Sequence, residues 1–560
     1  MPLKFFSDGT MNASLTVGIV LLLPGAAPAP ARGAELQVRG FLDQVSEAKV
    51  IPRSQPAGVK PLGATQVPQD VDLVLMAKWS LNYLAGTITV DRDFESSYGN
   101  WPLKYPPFSM AGDNIAGGDT ECRNDLAFVL MREMSGIDAG LDIQKGVRQR
   151  LLKRYHASGL FLPVNGDTDV IWATTWLAPP PSIEWEGKPI KITYRAELDF
   201  CVLEPYVRFF EVTGDAGMLA VAKGLADGRL DGLAKGHDTS HMHSMMHGVE
   251  PLAHLGAVTG EARYLDWAEA RLKETEPFRT DYGWVAAVRD AGFSSPKISE
   301  TCALADVMQT AIFLARGGRT AYWDFVERAM RNYLPQEQFF IDETFKTLWA
   351  QANSTNPEAL VKGLGLVRRM EGGFFCRTDP EDRWSIGTLS LEGCCPPTGM
   401  TGLHLGWKSI VTKTPAGVFI NLALNTDTPA ARVVSFLPDQ GRVTVVAKEA
   451  ATYNLRVPGF APRERAEAWR GGKKVRLAWN GDYVHFASVQ PGEELTVTYP
   501  LVGFVQKMKR GGTDYTIQWK GNEVASVSPK GRVWPLFEKV PFPTPPYPGQ
   551  LGPVQKQSRN

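Results

Sequence analysis

Cysteine is scarce in this chain, with six thiols in 560 residues. That is too sparse for a disulfide scaffold. An excess of one charge sign is also missing: Lys+Arg and Asp+Glu both number 60, so the formal net charge is zero. A nucleic-acid binder needs a clustered basic face, and nothing in the sequence suggests one. Apolar runs long enough for a membrane span are absent as well. The run LTVGIVLLLPGAA from Leu15 is too short to cross a bilayer. With Ala29-Pro30-Ala31 behind it as an A-x-A-type cleavage site, residues 1–31 read instead as an export signal, with Met11 as a second candidate start. A secreted or periplasmic protein is expected.

The composition is otherwise that of a globular protein long enough for two or three domains. Residues 32–70, rich in Pro, Gly and Ala, form a lead-in segment. From 71 to 410 apolar residues recur at helical spacing. Four runs, beginning at Met134, Val212, Val258 and Ala315, each combine a Gly-containing turn with an amphipathic helix. Each turn follows another apolar helical run, so the unit is a repeated helical hairpin. Gly214, Gly260 and Gly317 suit the left-handed position that ends a helix. Solenoid repeats keep a fixed period, and these do not. The expected fold of 71–410 is therefore an (α/α)6 toroid. From 411 to 530 the period falls to two, in runs such as GVFINLAL, GRVTVVAK and DYVHFASV, which predicts a β-sandwich. Residues 531–560 form a Pro-rich tail. The fold class is thus α plus β, multidomain.

The chemistry concentrates in two short motifs, Glu300-Thr301-Cys302 and the pair Cys394-Cys395 in LEGCCPPTGM. Three thiols and a carboxylate can close a tetrahedral site around one zinc ion. Metal ligation would also protect thiols in an exported protein. Glu300 and Cys302 are expected at a helix start, where an i, i+2 pair can still converge. Pro396 and Pro397 are expected to hold the second motif out of helix. Cys122, Cys201 and Cys376 read as buried small apolar residues. The run HDTSHMHSMMHGVEPLAH holds five of the eight histidines. His241 and His243 are candidates for hydrogen bonds to sugar hydroxyls, whereas His247 and His254 read as packed polar residues. His243 and His247 are also spaced i, i+4, so a second metal on that helix face is a further reading. Trp284 is a candidate for stacking on a sugar ring, and Arg377 for meeting hydroxyls.

The ETC at 300–302 and the GCCPP at 393–397, set between a helical-hairpin region and a β-region, resemble glycoside hydrolase family 127, the β-L-arabinofuranosidases. The resemblance covers most of residues 70–520, although only the two cysteine motifs are specific. It implies zinc held by Glu300, Cys302, Cys394 and Cys395, with Cys394 as nucleophile. It also implies a retaining glycoside hydrolase, and the enclosed mouth of a toroid favours the terminal sugar of an oligo- or polysaccharide, hence exo action. The chain departs from the family where its acid/base glutamate should stand, sixteen residues before Glu300, because that position is Trp284. Asp290, in a Gly-containing loop beside Arg289, is the preferred substitute, ahead of Asp281. Two rivals remain at this stage. One is a non-catalytic carbohydrate-binding or scaffold protein with a structural zinc. The other is a toroid-fold polysaccharide lyase with Tyr282 and the histidines as its base.

Overall fold

The computed structural model describes residues 71–109, 119–154, 170–173, 182–185, 187–194, 203–234, 240–289, 298–385 and 389–538. The export signal, the lead-in segment, Cys201, His237, Asp290 and the tail beyond 538 lie outside the described residues.

The helical part is built from α1 (Leu73–Gly86), α2 (Asp119–Ser135), α3 (Leu141–Arg154), α4 (Leu203–Thr213), α5 (Ala216–Ala234), α6 (Met242–Thr259), α7 (Ala262–Glu274), α8 (Thr301–Arg316), α9 (Tyr322–Arg331), α10 (Glu343–Ala352) and α11 (Cys395–Ser409). Consecutive helices pair as antiparallel neighbours: α2 with α3, α4 with α5, α6 with α7, α8 with α9. The first members of these pairs, together with α11, also pack sideways, giving the row α4, α6, α8, α11, α2. That is the hairpin arrangement of an (α/α)6 toroid. α8 sits in the middle of the row, and every residue from Thr301 to Ala315 is buried. A helix buried on all sides belongs in such a position, and its few polar residues, Asp306 among them, meet partners inside the row.

The turns follow the glycine reading with one correction. Gly214 and Gly260 have φ of 72° and 74°, in the left-handed region. Gly317 has φ of −76°, and its neighbour Gly318, at 97°, takes the left-handed position instead. The helix end had slipped by one residue because both candidates are glycine.

A larger correction concerns the prolines. Cys395-Pro396-Pro397 does not stand outside a helix: it is the first turn of α11, with Cys394 at the cap. Proline is tolerated there because the N–H groups of a first turn have no intrahelical partner, and its φ is already helical. α11 then lies tightly against α8. A Cβ at Gly399 would come within 2.9 Å of Thr301 Cγ2 and Phe374 Cγ, and one at Gly402 within 3.0 Å of Ala305 Cβ.

The helical part also contains strands that helical periodicity did not announce. Gly99–Asn100 pairs with Phe108–Ser109 on one side and Leu391–Glu392 on the other. This pairing ties the stretch before α11 to the stretch after α1. Val170–Ala173, Ser182–Trp185 and Lys188–Tyr194 form a second small sheet.

The β-region begins directly after α11, with β1 (Val411–Thr414), β2 (Gly417–Ile420), β3 (Thr426–Asp427), β4 (Ala431–Ser435), β5 (Arg442–Ala447), β6 (Ala451–Arg456), β7 (Glu467–Arg470), β8 (Lys473–Val475), β9 (Trp479–Asn480), β10 (Tyr483–Val489) and β11 (Glu494–Thr498). They form two sheets, ordered β9-β10-β6-β2-β1 and β3-β4-β5-β11-β7-β8. Along β5 alternate residues are buried, as a strand with one face on a sandwich core requires. All pairings are antiparallel except that of β2 with β6. Three further strands, β12 (Gly503–Arg510), β13 (Thr513–Lys520) and β14 (Glu523–Ser528), make a meander. Its Gln506 donates to Asp281 of the helical part at 2.7 Å. The sandwich is pinned to α9 by a buried cation, because the Arg456 guanidinium donates to both Asp324 and Glu327. The stretch just before the tail packs back onto the helices, where the Trp534 indole donates to Asp342 at 2.8 Å.

Candidate thiol and metal centre

The two cysteine motifs meet in space because α8 and α11 are neighbours and both begin at the same end of the row. Glu300 is extended, with φ −133° and ψ 130°, and caps α8, and Cys302 lies in its first turn. This is how the i, i+2 pair converges. The Cys302 and Cys395 sulfurs are 3.2 Å apart. The sulfurs of Cys302, Cys394 and Cys395 all lie within 4.8 Å of one another. Glu300 Oε2 stands 3.5 Å from the Cys302 sulfur. Bonds of about 2.3 Å from zinc to sulfur place tetrahedral sulfurs roughly 3.8 Å apart. The three thiols therefore fit a zinc ion with modest adjustment, and Glu300 stands next to them.

The three thiols are not equivalent. Cys302 and Cys395 are fully buried, while Cys394 is partly exposed. Hydrogen bonds from Cys302 and Cys395 hold the Cys394 thiol well below its ordinary value, with further help from the charges of His243 and Arg123. Burial pushes Cys302 and Cys395 the other way. The sulfur whose neighbours favour the thiolate is thus also the one of the three that reaches outward. Such an arrangement can hold an ion, and it can present a nucleophile.

The surrounding groups sort the other candidates. His241, on the cap of α6, donates from Nε2 to Glu300 Oε2 at 2.9 Å, and its Nδ1 meets Ser244 Oγ at 2.8 Å. Burial opposes its charged form, but the Glu300 hydrogen bond and carboxylate outweigh this and hold the ring above its ordinary value. The His243 ring stands 5.9 Å from that of His241 and edge-on to it. It turns to Asp306 of α8, donating from Nδ1 at 2.5 Å. His247, one turn on, meets the other Asp306 oxygen at 3.4 Å. Burial alone would raise Asp306, but the two imidazoles outweigh it and bring the carboxyl down to about 2. His254 is fully buried between Glu204 and Glu211, at 3.0 Å from each. Arg377 is half-exposed at the rim, ion-paired with Glu392 at 2.8 Å.

Two expectations fail on burial. Trp284 is fully buried, and its indole donates to the Thr378 carbonyl at 3.1 Å. Its ring belongs to the core and offers no face to a sugar. Tyr282 is equally buried, with its hydroxyl on the Pro380 carbonyl at 2.7 Å, so it cannot serve as a lyase base. Both lie on a segment whose backbone is held by Thr280 and Ser299, which turns their side chains inward.

The cysteine readings also need amendment. Cys122 is exposed. Cys376 is buried, but it packs with Cys302 and Cys395 in one sulfur cluster. Its backbone bridges Glu300 on one side and Ser390 on the other. Tyr98 was also missed. Its carbonyl accepts from Gly393 N–H at 2.7 Å, and the Cys394 charge is the main force raising its phenol. Nothing in the sequence around Tyr98 marks it, because it arrives through a pairing across 293 residues, Gly99 with Glu392. For Cys376 a signal did exist: a thiol eighteen residues before a C-C pair.

Behind the histidines lies a cavity of about 1120 Å³. Its lining includes His247, Glu250, Asp306, Gln309, Arg123 and Thr398. Thr398 is in the first turns of α11 and donates to the Cys394 carbonyl at 2.8 Å. No described helix is long and apolar enough to cross a membrane.

No family model and no curated protein matches this chain. Solved structures do. A family 127 β-L-arabinofuranosidase from Geobacillus stearothermophilus T6 is 15% identical, covers 87% of this chain and 85% of its own, and has a TM-score of 0.44. A second family 127 β-arabinofuranosidase is 15% identical, covering 74% of this chain and 64% of its own at a TM-score of 0.42. An α-1,6-mannanase from Salegentibacter sp. HEL1_6 is 11% identical, with 60% of this chain and all of the mannanase covered at a TM-score of 0.30.

Proposed function

We propose that this chain is an exported, exo-acting retaining glycoside hydrolase of the β-L-arabinofuranosidase type, with Cys394 as its nucleophile. The observation that carries the reading is the asymmetry of the thiols. Two buried sulfurs and a carboxylate stand around a third sulfur that is partly exposed and whose neighbours favour its thiolate form. A purely structural staple has no use for that difference.

Glu300, Cys302, Cys394 and Cys395 would hold zinc. When bound, zinc supplies a positive charge that keeps the thiol deprotonated near neutral pH. The Cys394 sulfur attacks the anomeric carbon of a terminal sugar. A carbon–sulfur bond forms as the carbon–oxygen bond to the leaving group breaks, and that oxygen takes a proton from a carboxylic acid. Water then displaces the sulfur, and the same carboxylate takes the water's proton. Asp290 is our candidate for that acid. The preceding residues support it: Val288 bridges His241, and Arg289 N–H bonds the Ser240 carbonyl at 2.9 Å, so the chain runs beside the site as it reaches position 289. His241 and Arg377 are our candidates for meeting sugar hydroxyls at the rim.

The test is turnover of an aryl β-L-arabinofuranoside by the zinc-loaded chain, together with mass spectrometry of the trapped enzyme. Loss of turnover in Cys394→Ala and a pentose adduct on Cys394 are expected. Retained turnover in Cys394→Ala, or an adduct on another residue, overturns the assignment. A zinc-loaded wild-type chain that turns over no glycoside points instead to a sugar-binding protein.

A further inference from the structure

A second constellation of ligating atoms stands beside the thiols, and the mechanism above makes no use of it. His243 and His247 occupy one face of α6, one turn apart, and α8 packs directly on α6. Asp306 projects from α8 between them, with Oδ2 toward His243 Nδ1 and Oδ1 toward His247 Nδ1. The three ligand atoms lie within 4.8 Å of one another. We propose that His243, His247 and Asp306 form a separate binding site for a divalent cation of borderline softness, such as Zn²⁺ or Co²⁺.

Three physical features favour an ion there. Two imidazoles one helical turn apart are a chelate preset by the helix, and a carboxylate from the neighbouring helix completes a facial set of three. The distances suit the ion's size. Metal bonds of about 2.0–2.2 Å put neighbouring tetrahedral donors roughly 3.3 Å apart. The His247–Asp306 separation is already 3.4 Å, and the His243–Asp306 separation of 2.5 Å has to open by under an ångström when an ion replaces the shared proton. Access is also provided. His247 and Asp306 line the cavity of about 1120 Å³, with Gln309 and Glu250 beside them, so solvent can deliver the ion and water can complete its shell. The bland alternative is a carboxylate that merely orients two histidines. Titration with Co²⁺ distinguishes that arrangement from a metal site.

This site is independent of the sugar chemistry proposed for Cys394, and cobalt distinguishes the two. Cobalt on thiolates gives an intense sulfur-to-metal charge-transfer band, whereas cobalt on nitrogen and oxygen gives only weak d–d bands. The full chain, stripped of metal and titrated with Co²⁺, should take up a second equivalent that adds d–d intensity without adding to the sulfur band. His247→Gln keeps an amide donor facing Asp306, and Asp306→Asn keeps the side-chain shape. Each should weaken the second equivalent by more than about 100-fold, beyond the loss typical of outer-shell partners, and leave the sulfur band unchanged. Matching metal-free circular dichroism would show that the variants fold. A single equivalent carrying the sulfur band in the wild type overturns the proposal, as does an undiminished second equivalent in both variants. Loss of both equivalents together would make the two groups one centre and overturn a separate site. A single equivalent without the sulfur band supports this site and counts against the thiol centre.

Discussion

Glu337 sits just behind the ETC motif and gives a quantitative handle on what holds it. Its carboxyl is fully buried. Oε2 accepts from Thr301, the residue between the two proposed ligands, at 3.1 Å, and Oε1 accepts from Thr378 at 3.0 Å. Thr378 in turn takes the Trp284 indole on its carbonyl. Burial pushes the carboxyl up to about 7 from an ordinary 4.5, against the opposing pull of Tyr333, Thr378 and Thr301. The sign comes from linkage. Below pH 4.5 the carboxyl is protonated in both folded and unfolded chains, and no stability is lost. As pH rises from there to about 7, the unfolded chain releases the proton while the fold retains it, so stability falls. Above that range both states are ionised and the loss is complete. At about 1.4 kcal/mol per pKa unit, the full loss is about 3 kcal/mol. Glu337→Gln removes the titration and keeps the side-chain shape. Paired urea titrations followed by tryptophan fluorescence should show the wild-type stability, relative to Glu337→Gln, falling by about 3 kcal/mol between about pH 4 and pH 8. A protonated-carboxyl infrared band near pH 6 in the wild type, absent from Glu337→Gln, would accompany it. A difference between the two chains that does not change with pH would refute the reasoning.

Two further outcomes test how the centre is assembled. Gly399→Val places methyl groups where Thr301 and Phe374 already stand 2.9 Å from a bare Cβ. It should cost about 1–3 kcal/mol by overpacking and, by forcing α11 from α8, weaken zinc binding measured by chelator competition. Unchanged zinc affinity would show that the close approach is not what brings the sulfurs together. Arg456→Ala leaves Asp324 and the fully buried Glu327 without their cation. Loss of one partner of a buried ion pair costs about 3–5 kcal/mol, and limited proteolysis should then cut between the sandwich and the helices in the variant but not in the wild type.

The two cysteine motifs were legible as candidate metal donors because thiols are rare here. Each motif is a weak signal by itself, and the four-ligand set came from the family resemblance. The change of period near 411 was legible too, since helix and strand repeat differently along any chain. The Pro396-Pro397 pair was misread because proline forbids helix interior but not helix start, and only the packing of residues 398–409 against α8 decides which applies. Trp284 and Tyr282 were misread because an aromatic side chain serves a cleft or a core equally well. Only the inward turn of the 280–288 segment, fixed by Ser299 and Thr378, decided between them.

Tyr98, Cys376 and Asp306 show the other limit. Each reaches the site through contacts between residues far apart in the chain: a strand pairing, a pair of isolated bridges and the packing of α6 on α8. The sequence by itself determined which atoms were available for metal and nucleophile chemistry. Tertiary packing decided which of the sulfurs faces outward and which carboxylate stands between the histidines, because charge and burial depend on neighbours in space that one-dimensional spacing does not encode.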